Sequence, residues 1–183
     1  MYKDYFQKLT GILFKPLQVL EEYKTEKGIS KPLIFMGISV IISGLISVLF
    51  SLILGSGIIT ALITDVTMMA IAVSSTFIGS AIFHLFVKLF GGVNPYYQTF
   101  KAFAYLSAFT IVQTLIQGIS IYIPVIIYLS SLISLWALVL LGSCLKFYTD
   151  LSTGKLVGVW VSSILSMGVI GVLFVFIRNM FLV

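Results

Sequence analysis

The stretch FHLFVKLFGGVNPYYQTFKAFAY, Phe83 to Tyr105, decides how the chain is laid out. It joins two long apolar runs through Lys88, a Gly91-Gly92 pair, Asn94-Pro95, three closely spaced aromatics and Lys101. Glycine pairs weaken a helix, and Pro95 has no backbone N–H and restrains the residue before it. One helix therefore ends near Phe90 and another begins near Tyr96 or Tyr97. Amphipathic rings and snorkelling amines each keep one end wet in a headgroup layer. The stretch is expected to be a membrane-surface loop with a short interfacial helix, facing the cytoplasm.

Composition points the same way. The 183 residues are 60% hydrophobic and 9% charged, with a mean hydropathy of +1.16, whereas soluble domains carry about 25% charged residues. Several apolar runs reach the length of about 20 residues that a bilayer-spanning helix needs. The expected fold is all-α and polytopic: a five-helix transmembrane bundle preceded by an amphipathic N-terminal interfacial helix. A net charge of +5 would suggest nucleic acid in a soluble protein. Here lysines held on the cytoplasmic side account for it, and no nucleic-acid partner is expected. The single Cys144 excludes an internal disulfide and reads either as a buried thiol or as a palmitoylation site. MYKDYFQKL lacks the pattern of a cleaved secretory signal, so the first span is expected to persist in the mature protein.

Residues 1–30 are read as a cytoplasmic interfacial segment. Phe6, Leu9, Leu13, Leu17 and Leu20 recur at helical spacing, with Lys3, Lys8 and Lys15 between them. Such a helix either lies on an anionic leaflet or packs on its own bundle. Gly11 and Pro16 split it in two, with Pro16 in the first turn of the second piece. Glu21 to Lys27 reads as a solvated linker, and Ser30 with Pro32 as the start of the next helix. The membrane domain, 31–183, carries spans at about 33–54, 66–86, 102–122, 125–145 and 156–177. Between them lie a basic-free connection Gly55–Thr64, the Phe83–Tyr105 stretch, a tight turn at Pro124 and the polar loop KFYTDLSTGK, Lys146–Lys155. Lys3, Lys8, Lys15, Lys24, Lys27, Lys31, Lys88, Lys101, Lys146 and Lys155 make ten of eleven basic residues on alternate connections. Positive charge stays inside, which places the N-terminus in the cytoplasm and the C-terminus outside.

Small residues recur every four positions on the spans: Ser39, Ser43, Ser47, Ser51 and Gly55; Gly154, Gly158, Ser162 and Ser166; and Ser130, Ser134 and Gly142 on one face. They read as close helix packing or as the lining of a polar path. The second span carries a ladder of Thr76, Ser80, His84 and Lys88, and the third carries Ser107, Thr110, Thr114 and Gln117 with Gln113 alongside. A lysine at mid-membrane costs about 2.5–3.5 kcal/mol, so Lys88 belongs at the interface. His84 is either a hydrogen-bonded packing residue or a proton carrier. Catalysis finds no support. There is one His, one Cys, no HExxH and no GxSxG, and Asp65 and Asp150 are expected on opposite sides. No metal or cofactor is expected, since the chain lacks a ligand set.

Three segments carry a family likeness. FKPLQVLEE looks like a Phe/Pro-containing helix before the first span. HLFVKLFGGVNPYYQTFKAFAYLS looks like a basic Gly-Gly loop followed by an early tyrosine in the third span. WALVLLGSCLKFYTDLSTGK looks like a span ending in Gly, a basic residue and a short Leu-Ser loop. Together they resemble the Yip family, the Ypt/Rab-interacting integral membrane proteins, in its compact bacterial and archaeal form. A Gly-Tyr-x-x-x-Pro element of that family is met only at Tyr105, with Ala104 and Phe109 at the Gly and Pro positions.

The resemblance implies five spans with the N-terminus inside, a prokaryotic cell membrane and a non-enzymatic role in organising membrane or recruiting partners. The contact surface would be Lys3, Lys8, Lys15, Lys88, Tyr96, Tyr97, Lys101, Tyr105, Lys146 and Lys155. It would face the bilayer's anionic headgroups, other membrane proteins or a second copy. The alternative is a small transporter, channel or lipid scrambler whose path runs along Thr76, Ser80, His84, Thr110, Gln113, Thr114 and Gln117.

Overall fold

Two glycines at positive φ close the first two spans, and both closures follow from the chain locally. Helix α3 (Ser30–Ile53) ends where Gly55 takes φ +82°. There Gly55 N–H bonds to Leu52 O and Ser56 N–H to Ser51 O, the paired bonds of a left-handed helix cap. Helix α4 (Ile58–Leu89) ends the same way, with Gly91 at φ +90°, Gly91 N–H on Lys88 O and Gly92 N–H on Val87 O. Gly92 is needed for another reason. A Cβ there would lie 2.9 Å from the Val87 carbonyl oxygen.

The computed structural model describes residues 2–181, with side chains for residues 4–170 and Val172. Helices α1 (Tyr2–Phe14) and α2 (Pro16–Glu22) lead through a 3-10 turn (Tyr23–Thr25) into α3 and α4. Helix α5 (Tyr96–Leu106) continues into α6 (Ala108–Ser120) as one span. Ser107 marks the joint because its Oγ donates to Ala104 O at 2.6 Å and competes with the helix's own ladder. A 3-10 turn (Pro124–Ile126) starts α7 (Ile127–Thr149), and α8 (Thr153–Phe181) follows. Five helices are long and apolar enough to cross a membrane, and no strand occurs among the described residues.

The third span is the most buried of the five. Helix α3 packs on α4, α5 and α6; α4 packs on α5 and α8; and α7 packs on α5, α6 and α8. One core runs through the bundle, including Phe83, Val87, Ala102, Tyr105, Leu140, Cys144 and Leu145. Helix packing without a hydrophobic drive relies on close backbone approach. Phe50 lies over Gly118, Phe90 over Gly158 and Trp160 over Gly142.

Four expectations change. Residues 58–64 are the first turns of α4 rather than a loop, because only Gly55 and Gly57 interrupt an otherwise apolar run. At ~1.5 Å per residue, α4 with its 32 residues reaches about 48 Å, well beyond a hydrocarbon core of about 30 Å. No separate interfacial helix follows Pro95. Tyr96 begins the third span itself, with Phe100, Ala102, Ala104 and Tyr105 buried. The Lys146–Lys155 loop shrinks to the residues between Thr149 and Thr153, since α7 continues through Tyr148, whose ring is buried. On α8 the buried face is Leu156, Val159 and Ser163, while Ser162 and Ser166 are half-buried.

Candidate functional site

The N-terminal segment carries apolar residues on two faces, and the bundle takes one of them. Tyr5, Leu9, Ile12 and Leu20 are buried in the common core. Phe6, Phe14 and Leu17 are exposed, Phe14 at 81%. Tyr5 Oη lies 3.1 Å from Ser39 Oγ, so the first serine of the α3 ladder meets the N-terminal helix rather than another span.

Polar groups then lock the segment down. Lys101 is 0% exposed. Its ammonium donates to Tyr23 O at 2.9 Å, to Lys24 O at 3.4 Å and to Glu26 O. Three donors thus meet three carbonyls at the C-terminal end of the 3-10 turn, where unsatisfied carbonyls and the helix dipole favour a cation. The Tyr97 and Tyr148 rings flank the charge, at 5.6 and 5.3 Å. Tyr148 Oη donates to Leu20 O at 2.6 Å, and Asn94 Nδ2 donates to Tyr148 O.

Glu26 is the anionic centre of this cluster. Its carboxylate accepts from Lys8 Nζ at 2.9 Å and from Tyr105 Oη, with Lys31 Nζ at 3.5 Å. Lys8 also lies over the Tyr23 ring at 4.5 Å. Burial pushes Glu26 up, but the hydrogen bonds from Tyr105 and Lys8 and the charges of Lys8 and Lys31 outweigh it. The net effect holds the carboxyl below its ordinary range. Burial and then the Glu26 charge push the Tyr23 phenol up to about 12.

A second polar region runs between the spans. A cavity of about 350 Å³ between α3, α4 and α6 is lined by Ser43, Ser47, Asp65, Thr110, Thr114 and Gln117 among others. A neighbouring cavity of about 430 Å³ shares Thr110 and adds Thr76, Ser107, Gln113 and Ser134. Ser43 Oγ lies 3.0 Å from Thr110 Oγ1, and Gln113 Nε2 donates to Ser134 Oγ at 2.9 Å.

A profile of the Yip1 domain matches residues 10–177, nearly the whole chain. The chain belongs to the Yip1 domain family. Neither the curated proteins nor the solved structures gave a match. The protein is therefore a Yip1-domain integral membrane protein with several spans.

Within this Yip1 domain the residues singled out from sequence divide into two groups. Lys15, Lys88, Lys146 and Lys155 are exposed at one end of the bundle, together with Lys24, Lys27 and Lys31. The Lys3 side chain lies outside the described residues. Lys101 and Tyr105, expected in the headgroup layer, are fully buried and tie the N-terminal segment to the third span. Lys8 is spent on Glu26 in the same way, and Tyr97 is half-buried beside Lys101.

The polar path also divides. Thr76, Thr110, Gln113, Thr114 and Gln117 line cavities. Ser80 is buried against Tyr96, whose hydroxyl lies 2.7 Å from its Oγ, and His84 Nδ1 lies 3.2 Å from Thr99 Oγ1. Those two, with Tyr96, pack the α4–α5 contact. Sequence reasoning missed Glu26 as a centre, and it missed Tyr148 and Asn94 as parts of the same network. The available signal was Lys101 itself, the one charged residue in a helix that runs on through Ala102, Phe103 and Ala104.

Proposed function

We propose that this Yip1-domain protein is a non-enzymatic organiser of membrane, working through its basic end. That end faces the cytoplasm, as the positive-inside bias requires. The observation that carries the reading is the division of labour among the lysines. Lys8 and Lys101 are consumed in fixing the N-terminal segment, while Lys15, Lys27, Lys88, Lys146 and Lys155 stay exposed at one end with no ion pair among the described residues, and the exposed Lys24 and Lys31 pair with Asp150 and Glu26. Phe6, Phe14 and Leu17 stand beside them as apolar anchors. A basic residue near an anionic leaflet contributes about 1 kcal/mol, so four such lysines supply on the order of 4 kcal/mol of headgroup preference.

The test is lipid retention. Full-length protein is extracted from mixed bilayers, and the anionic lipid that co-purifies is counted by native mass spectrometry. Replacing Lys15, Lys88, Lys146 and Lys155 together by Gln should strip most of that lipid at moderate salt. Equal retention by both proteins would refute the reading. Orientation is checked separately in a Cys144→Ala background, with single cysteines at Ser56 and Val93 labelled from opposite sides.

A further inference from the structure

Of the six acidic residues in the chain, only Asp65 falls within a span. It is 5% exposed, and among the described residues no hydrogen bond or ion pair reaches its carboxylate. Its depth follows from its neighbour. Asp65 Oδ2 lies so close to α3 that a Cβ on Gly44 would be 2.5 Å from it. Gly44 is nine residues from Ile53, the end of α3, or about 13 Å into a hydrocarbon layer of about 30 Å. An unpaired carboxylate at that depth points to a ligand or counter-ion.

The lining says which kind. Ser43 Oγ donates to Ser39 O at 2.9 Å, Thr110 Oγ1 to Ser107 O at 2.7 Å and Thr114 Oγ1 to Thr110 O at 2.8 Å. Ser43 and Thr110 have one proton each for these carbonyls and for the 3.0 Å contact between their own oxygens, so neither has a proton to spare and oxygen lone pairs are what these side chains offer a ligand. Ser47, Thr64 and the Gln117 amide can both donate and accept, and Asp65 is the one ionisable side chain in the lining, with no basic group to balance its carboxylate. A cation is favoured. The volume of about 350 Å³ equals roughly twelve water-sized volumes of ~30 Å³, far more than a bare ion fills. Val40, Met68, Met69 and Ala72 make the rest of the wall apolar, and an alkali ion gains nothing from them. A cation that carries alkyl groups gains from both halves of the wall.

We infer that this cavity binds an organic ammonium group, its charge on Asp65 and its alkyl groups against Met69 and Val40. The ammonium can belong to a free amine or to an aminated lipid headgroup. In the second case the adjoining cavity lined by Phe50, Leu54 and Ile121 gives the chain of the lipid a way out.

The experiment uses purified full-length protein in neutral detergent, with unfolding midpoint as the readout. The probes are choline chloride, with sodium chloride as the ionic control, and phosphatidylethanolamine, with phosphatidylglycerol as the lipid control. Stabilisation by choline beyond sodium identifies a site open to free ammonium, and stabilisation by phosphatidylethanolamine alone identifies a headgroup site. Either shift should vanish in Asp65→Asn. Where that variant fails to fold, Ser47→Leu fills the cavity with Asp65 left in place and should weaken the midpoint response at least tenfold in probe concentration. No wild-type response to either probe beyond its control, or an undiminished response in the variants, would overturn the inference.

Discussion

Lys101→Met should release the N-terminal segment while leaving the bundle folded. Methionine keeps most of the side-chain volume but removes the ammonium that holds the carbonyls of Tyr23, Lys24 and Glu26. Two of those bonds are close, and a hydrogen bond from a charged donor is worth about 1.5–3 kcal/mol, so the gross loss is about 3–6 kcal/mol. Burying the ammonium itself carries a desolvation cost that methionine does not, which returns part of that loss. A net cost of about 2–3 kcal/mol, at ~1.4 kcal/mol per tenfold, raises the opening equilibrium of the segment roughly 30- to 150-fold. Hydrogen exchange on the detergent-solubilised protein reads this directly at the amides of Leu20 to Glu26. Lys146→Met, at an exposed position, is the matched control and should change nothing. Equal exchange in Lys101→Met and wild type would refute the clamp, as would acceleration spread evenly over the spans.

Glu26, whose folded carboxyl titrates below its ordinary range, stabilises the docked segment fully above the unfolded value near ~4.3. That contribution is lost as pH falls from there through the lower folded value, so protection of residues 20–27 should drop below about pH 4. Glu26→Gln should exchange faster at neutral pH and show a much smaller step. Ser163→Leu should lower the unfolding midpoint more than Ser162→Leu, because Ser163 is fully buried and Ser162 is not. Gly118→Ala should destabilise by about 1–3 kcal/mol through overpacking, since its Cβ would fall 2.2 Å from the Phe50 ring. Gly37→Ala meets nothing within 4 Å and should be neutral or gain up to about 1 kcal/mol of helix propensity.

The sequence alone determined that five helices are long and apolar enough to span, though not where the second and third begin, because spanning a bilayer is a local demand. Every backbone polar group must be satisfied within its own segment, so length and hydropathy report helices directly. The breaks were legible for the same reason. Gly91-Gly92, Asn94-Pro95, Gly55 and Pro16 act on their own backbone, and each closes or opens a helix in the structure. What the chain could not reveal is which of two chemically similar residues is free. Lys88 and Lys101 both flank the same loop, yet Lys88 is exposed and Lys101 is enclosed by carbonyls from residues more than seventy positions away. Asp65 likewise reads as a residue at the mouth of a span until Gly44 of the neighbouring helix sets its depth. Burial of a charge is decided by partners distant in sequence, and only the packed bundle brings them together.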